Sequence, residues 1–384
     1  MSGKPVAAGE GRHSKMEIQD LPLWSRLRER RGVFSFDLEI TARCNLNCRH
    51  CYINLPAADA QARSRELTPA EIEHIAAQAA DMGAMWVLVT GGEPLLREDF
   101  PEIYLGLKRR GLLVSLYTNA TLLRDEHFEL FMKYPPRDIE VTVYGTTAET
   151  YERVTRVPGS FAAFTRGLER IMAGGIKIRL KAMALRSNLP EMPAIADFCR
   201  ARTKDYFRFD PLLHLRFDRD ERRNAEILAE RLAPEEIVAL EQADSERSSA
   251  LESRCGDLIQ EDFAHVGCDH LFHCGAGNGS FAVGYEGQFR LCSSLWAPGT
   301  TYDLRRGTLR EAWDKFVPRV RDMRSQRREF LERCRRCPII NLCLWCPAHS
   351  HLETGEMDTP VDYFCRVARA RAAAVRGGKT TGRE

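Results

Sequence analysis

Val33-Phe34-Ser35-Phe36-Asp37-Leu38-Glu39-Ile40-Thr41-Ala42-Arg43-Cys44-Asn45-Leu46-Asn47-Cys48-Arg49-His50-Cys51-Tyr52 joins two signals. From Phe34 onward apolar and polar residues alternate, which predicts a half-buried strand over residues 33–40. Three cysteines follow, separated by three residues and then by two. Three thiolates in one short loop can hold three corners of a cubic iron–sulfur cluster and leave its fourth iron open. The same spacing, with His50 as a fourth ligand, also fits a zinc site.

The chain around this stretch is 384 residues long and 44% apolar, enough for a sizeable core and for two domains. A net charge of +2 gives no whole-protein field that would favour nucleic acid or an anionic membrane. No apolar run is long enough to span a bilayer. Residues 1–31 lack the apolar core of a secretory signal, and the first dozen read as a disordered end. Thirteen cysteines without an export signal point to metal or redox chemistry in a reducing cytoplasm rather than to disulfides.

Downstream, strands and helices alternate. Strands are predicted over residues 33–40, 85–89, 112–117, 139–144, 176–185 and 206–211. Helices are predicted to open at Thr68-Pro69-Ala70-Glu71, an N-cap followed by a first-turn proline and an acidic residue, and to cover residues 99–110, 122–134, 161–173 and 192–203. Six strands with helices between them predict an α/β fold, a partial (β/α)6 TIM-type barrel with its conspicuous residues in the loops after the strands. Residues 216–254 read as a charged helical linker. Residues 255–367 form a Cys- and Gly-rich region with a hairpin turning at Glu286-Gly287 and helical pieces over 309–316 and 320–334. Residues 1–32 and 368–384 read as extensions, the latter basic and frayed.

Cys44-x3-Cys48-x2-Cys51-Tyr52, in the loop after the first strand, resembles the signature of the radical S-adenosylmethionine (SAM) superfamily. Gly91-Gly92-Glu93-Pro94 after the second strand resembles its glycine-rich motif for the cofactor's amino group. Thr118-Asn119 after the third resembles its Thr-Asn segment. Thr142, on the fourth strand, stands where the family contacts ribose or carboxylate, and Tyr144 departs from the usual residue there. The resemblance spans residues 33–211. It implies SAM bound at a 4Fe–4S cluster on Cys44, Cys48 and Cys51, with Tyr52, Gly91, Gly92, Glu93, Pro94, Thr118, Asn119 and Thr142 as cofactor contacts. It further implies a 5′-deoxyadenosyl radical that takes a hydrogen atom from substrate, and reduced flavodoxin or ferredoxin as electron donor.

Nine further cysteines stand at 255, 268, 274, 292, 334, 337, 343, 346 and 365. Cys334-x2-Cys337-x5-Cys343-x2-Cys346 is shorter than a zinc ribbon. Together with Cys274-x12-Gly287-x4-Cys292 and Cys365 it resembles the SPASM extension, one residue short before Cys346. The resemblance implies two auxiliary 4Fe–4S clusters, for three in all. Cys268, Cys274, Cys292 and Cys346 would hold one, and Cys334, Cys337, Cys343 and Cys365 the other, with Cys255 as the rival of Cys268. Cys199 reads as a buried apolar residue. His265, His270 and His273 could ligate metal, but beside a thiolate site they read as partners of sulfur or as packing residues. The arginines from Arg319 to Arg336 form either a solvated face or a docking patch for an acidic partner, and Asp210 is a possible cavity residue.

Relatives with this extension mostly modify ribosomally made peptides, forming thioether or carbon–carbon crosslinks, and a peptide maturase is the first expectation. Only 43 residues precede Cys44, too few for a winged-helix leader-binding domain, so a separate leader-binding protein or another surface is expected. The alternatives are sulfatase-type Cys or Ser oxidation, disfavoured by Ser293 where an Asp base is usual, radical chemistry on a small metabolite, and a non-enzymatic electron-transfer protein. No catalytic acid or base is identifiable in the sequence.

Overall fold

The computed structural model describes residues 32–205, 207–259, 268–343 and 345–378, without side chains for 254–257, 377 and 378. The expectations for residues 1–31, His265, the Cys255 side chain and the last six residues fall outside that description. Six parallel strands follow the predicted order: β1 (Ser35–Thr41), β2 (Trp86–Gly91), β3 (Leu113–Tyr117), β4 (Asp138–Val143), β5 (Ile178–Met183) and β6 (Arg208–Asp210). Each lies beside its predecessor, as a barrel built from right-handed βα units requires. Helix Pro69–Asp81 starts as expected. Thr68 accepts from the Glu71 amide while Glu71 accepts from the Thr68 amide, a closed capping box.

The C-terminal hairpin is not a separate sheet. β7 (Ser280–Val283) pairs parallel to β1, and β8 (Gln288–Arg290) and β9 (Tyr302–Asp303) continue outward, giving one nine-stranded sheet in the order β9-β8-β7-β1-β2-β3-β4-β5-β6. Phe36 of β1 stacks on Phe281 of β7 with ring centres 5.2 Å apart, and Phe281 on Phe289 of β8 at 5.1 Å. One hydrophobic core therefore runs through both halves. At the same junction Glu39 and Arg290 form a fully buried ion pair.

Two local expectations change. The predicted helix over 320–334 breaks after helix Val317–Arg321, because the next residues pair with Asp269–Leu271: the Leu271 amide donates to the Met323 carbonyl and the Ser325 amide to that of Asp269. The start of the predicted frayed tail is part of helix Asp362–Gly378. Ala368 and Ala372 are buried and Arg371 is ion-paired to buried Glu241 of the linker, so packing overrides the basic composition. Among the described residues no helix is long and apolar enough to cross a membrane.

Candidate active site

The cysteine loop leaves the carboxyl end of β1. The Cys44 thiol is pushed up by burial first, then by Glu93, Cys48 and Cys51. Cys48 is pushed up by burial and Cys51, and the Tyr144 hydroxyl bonds to it. The three thiols thus share one electrostatic neighbourhood. His50 does not complete a set with them. Its ring tilts against Tyr144 at 5.1 Å, its Nδ1 is buried with no hydrogen-bond partner among the described residues, and burial pushes it down to about 4. Cys199 lies fully buried in the core, as expected.

Gly91 and Gly92 let the second loop approach the first. A Cβ at Gly92 would lie 2.2 Å from the Arg43 carbonyl oxygen, and one at Gly91, at φ +132°, 2.1 Å from that of Thr41. Glu93, fully buried, then ties three loops together: its amide donates to the Arg43 carbonyl at 2.9 Å. Its Oε1 accepts from the Thr118 hydroxyl at 2.7 Å and the Leu95 amide at 2.9 Å, and its Oε2 from the Asn119 amide at 2.7 Å. Burial pushes Glu93 up to about 7, against those three bonds. Asn119 donates to Asn45 Oδ1 at 3.0 Å, and Asn45 donates to the Thr121 hydroxyl at 2.8 Å. Asn45 and Thr121 were not singled out from sequence, since an Asn or Thr in a loop carries no pattern of its own.

These loops open on a cavity of about 600 Å³. Cys44, Cys48, Cys51, Tyr52, Gly91, Gly92, Thr118, Asn119 and Thr142 line it, whereas Glu93 and Pro94 stand behind its wall. Asp210, expected here, lines it too. So do charged side chains on the inner face of the strands: Asp37 of β1, Glu140 of β4, Lys181 of β5 and Arg208 of β6. Lys181 and Arg208 both reach Glu140, at 2.6 and 3.2 Å. The Asp37 carboxylate makes no side-chain hydrogen bond among the described residues, and burial first, then Glu39, raises it to about 6. The signal for this group was a charge at inward positions of otherwise apolar strands, where burial costs unless the charge is used. The far wall comes from the C-terminal half, through Ser293 and His349, and the His349 ring lies 4.0 Å from that of His214.

The distal cysteines fall into two neighbourhoods. Cys346 is raised to about 12 by burial, with Cys292 and Cys274 adding repulsion. Cys334 is raised to about 12 by burial, then by Cys365 and Cys337. A hydrogen bond between Cys343 and Cys365 raises the former and lowers the latter. Cys334, Cys337, Cys343 and Cys365 surround a cavity of about 70 Å³. Cys268 lies apart from these contacts, 3.5 Å from both His270 Nδ1 and His273 Nε2. Most of the arginine stretch is spent inside the chain. Arg324, Arg327, Arg328 and Arg333 pair with carboxylates, Arg321 donates to the Cys274 carbonyl, and Arg335 is buried against those of His270 and Leu271.

A family model for the radical SAM superfamily matches residues 38–199. An AdoMet-dependent heme synthase of Methanosarcina barkeri is 33% identical over 154 residues, 40% of this chain and 43% of that protein. A probable GTP 3′,8-cyclase of Methanococcus maripaludis is 30% identical over 173 residues, 44% of this chain and 56% of that one. The chain thus spans about half, or less, of the length of these relatives. Among solved structures, Streptococcus suis SuiB bound to S-adenosylmethionine superposes with a TM-score of 0.63 at 15% identity, covering 93% of this chain and 83% of that one. Native anSMEcpe with bound AdoMet superposes with a TM-score of 0.63 at 12% identity, covering 91% and 98%. Residues 38–199 thus match the radical SAM superfamily model, and the chain shares its fold with SuiB and anSMEcpe.

Proposed function

We propose that the chain is a radical SAM enzyme that modifies a peptide. The observation that carries this reading is the single cavity onto which Cys44, Cys48, Cys51, Gly91, Gly92, Thr118 and Asn119 open, walled on its far side by Ser293 beside Cys292. The donor set fits a 4Fe–4S cluster at Cys44, Cys48 and Cys51, which lie close enough for each thiolate's charge to be felt by its neighbours. Four thiols around a cavity suit an auxiliary cluster at Cys334, Cys337, Cys343 and Cys365. Among the described residues no three His, Cys, Asp or Glu side chains converge closely enough for a single metal ion. Cys274, Cys292 and Cys346 are proposed to hold the remaining cluster, with Cys268 as its fourth ligand. A SAM-bound cluster supplies reductive cleavage of the sulfonium and a carbon-centred radical.

The chain's own residues do the rest. Gly91 and Gly92 leave room for backbone approach, Thr118 and Asn119 are fixed by Glu93, and Tyr52 and Thr142 wall the cavity. A peptide substrate draws support from the SuiB fold, which has been solved bound to the precursor peptide SuiA. A small-metabolite reading draws support from the heme synthase and GTP cyclase relatives. Reduced flavodoxin or ferredoxin is the proposed donor, and a separate leader-binding protein a proposed partner. Anaerobic reconstitution, followed by iron analysis and assay of 5′-deoxyadenosine with dithionite, tests the core of the reading. About twelve irons per chain and cofactor cleavage are expected, and no 5′-deoxyadenosine from a fully reconstituted protein refutes it.

A further inference from the structure

Behind the cysteine loop, on the side away from the cavity, two arginines of the linker are buried. Side-chain exposure is 3% at Arg216 and 11% at Arg223. Arg223 donates to the Cys48 carbonyl at 3.0 Å and to Asn54 Oδ1 at 3.2 Å. Arg216 donates to the Asn54 carbonyl at 3.1 Å and to its Oδ1 at 3.2 Å, and Asn54 returns a bond to the Leu46 carbonyl at 3.4 Å. The Phe217 amide adds a bond to the Tyr52 carbonyl at 3.2 Å. Residues 216–223 therefore clasp the whole loop through its backbone. The fork of a guanidinium allows one side chain to meet a carbonyl, an amide oxygen and a carboxylate at once.

The carboxylates that partner these arginines are placed differently. Asp218 and Glu226 are 33% and 26% exposed, so their charges are screened by water. The two cations sit in the protein interior against the loop, where the effective dielectric is low. The loop thus feels an uneven pair, a near, poorly screened cation and a farther, better screened anion. Arg223 alone of the two bonds directly to a ligand residue's carbonyl, its field reaches both Cys48 and His50, and that of Arg216 reaches Cys51.

We infer that Arg223, with Arg216 beside it, holds the reduction potential of the cluster on Cys44, Cys48 and Cys51 at a higher value than the thiolate ligands alone would give. The inference rests on the cluster reading above. Reduction adds one negative charge to the site, and a cation near the ligands stabilises the more negative state. Arg223 is accordingly a positioning residue that acts through Cys48, and its charge, beyond its bonds, is what the inference concerns.

The test is an anaerobic redox titration of the reconstituted full-length protein, followed by electron paramagnetic resonance. The signal that changes on adding SAM identifies the cluster in question. Arg223→Gln keeps a hydrogen-bond donor but loses the charge. It is expected to bind the same iron as the parent and to show a more negative midpoint for that signal. Arg223→Lys, which keeps the charge, is expected to stay near the parent value. An unchanged midpoint in R223Q overturns the inference. Iron loss in R223Q and R223K alike also overturns it, in favour of a purely structural clasp. If R223Q alone fails to assemble, Arg216→Gln carries the test: a smaller negative shift supports the inference and none refutes it. A parent protein whose reconstituted cluster shows no SAM-responsive signal refutes the site reading and the inference together, and is seen before any variant is made.

Discussion

Replacing Arg290 by methionine should be the most damaging single change at the junction of the two halves. Glu39 and Arg290 are both fully buried, Glu39 on β1 beneath the cysteine loop and Arg290 on β8 just before Cys292. Losing one partner of a buried pair leaves an uncompensated charge and costs about 3–5 kcal/mol. Arg290 also lies 3.6 Å from the centre of the Trp296 ring, a contact of about 1 kcal/mol, and donates to the Ser293 carbonyl at 2.8 Å, about another 1. These terms share one side chain and do not add, and Glu39 can escape part of the penalty by taking a proton, since burial already raises its carboxyl against the pull of Arg290. A net loss of about 3–5 kcal/mol is therefore expected for R290M, read from urea midpoints of the cluster-free protein by circular dichroism. The sign of the pH dependence follows. Without Arg290 the folded state holds its proton on Glu39 more tightly than the unfolded chain, so R290M regains stability as pH falls. The double variant E39Q/R290M removes the stranded charge and should recover at least half of the loss. A cost below about 1 kcal/mol for R290M, independent of pH, would refute the claim that this pair locks the hairpin to the barrel.

Three smaller tests address other parts of the site. Gly92→Ala places a methyl group 2.2 Å from the Arg43 carbonyl, so the cysteine loop must move. Cofactor cleavage should fall by more than tenfold, measured as 5′-deoxyadenosine, and near-parent activity would show that the close approach is dispensable. Asp37→Asn should stabilise the protein at pH 7 to 8. Its folded carboxyl, at about 6 against 3.8, keeps a proton that the unfolded chain releases, so parent stability falls as pH rises through that window. The full shift corresponds to about 3 kcal/mol, and about 1–2 is expected once water in the cavity is allowed for, vanishing below about pH 4. A pH-independent difference in denaturation midpoint would contradict this. Thr68→Ala opens the capping box of helix Pro69–Asp81 and should cost about 1 kcal/mol in the same assay; no measurable loss would mean that tertiary packing alone starts that helix.

Much of the barrel was legible because its signals are local. Alternation in residues 33–40 and the cap at Thr68 each report on a few neighbouring residues, and both match observed elements. The cysteine spacing was legible for the same reason, since one loop carries all three thiols. What failed was local reasoning about segments whose partners are distant. The run 320–334 has helical composition, yet its residues 323–325 pair with Asp269–Leu271. The end beyond residue 368 looked frayed by charge, yet Arg371 finds Glu241, 130 residues away.

The amino-acid order by itself determined the strand-loop modules, the cysteine sets and the glycines that let two loops touch, because periodicity, spacing and the lack of a side chain are properties of short segments. Only the tertiary structure decided that β7 continues the sheet from β1, that Ser293 and His349 close the same cavity as Cys44, and that Arg216 and Arg223 stand behind the loop. Each of these is a meeting of residues far apart in the chain, and no local pattern specifies which of many arginines or serines will be there. The cost of burying a charge without a partner makes such meetings specific once the fold brings them together.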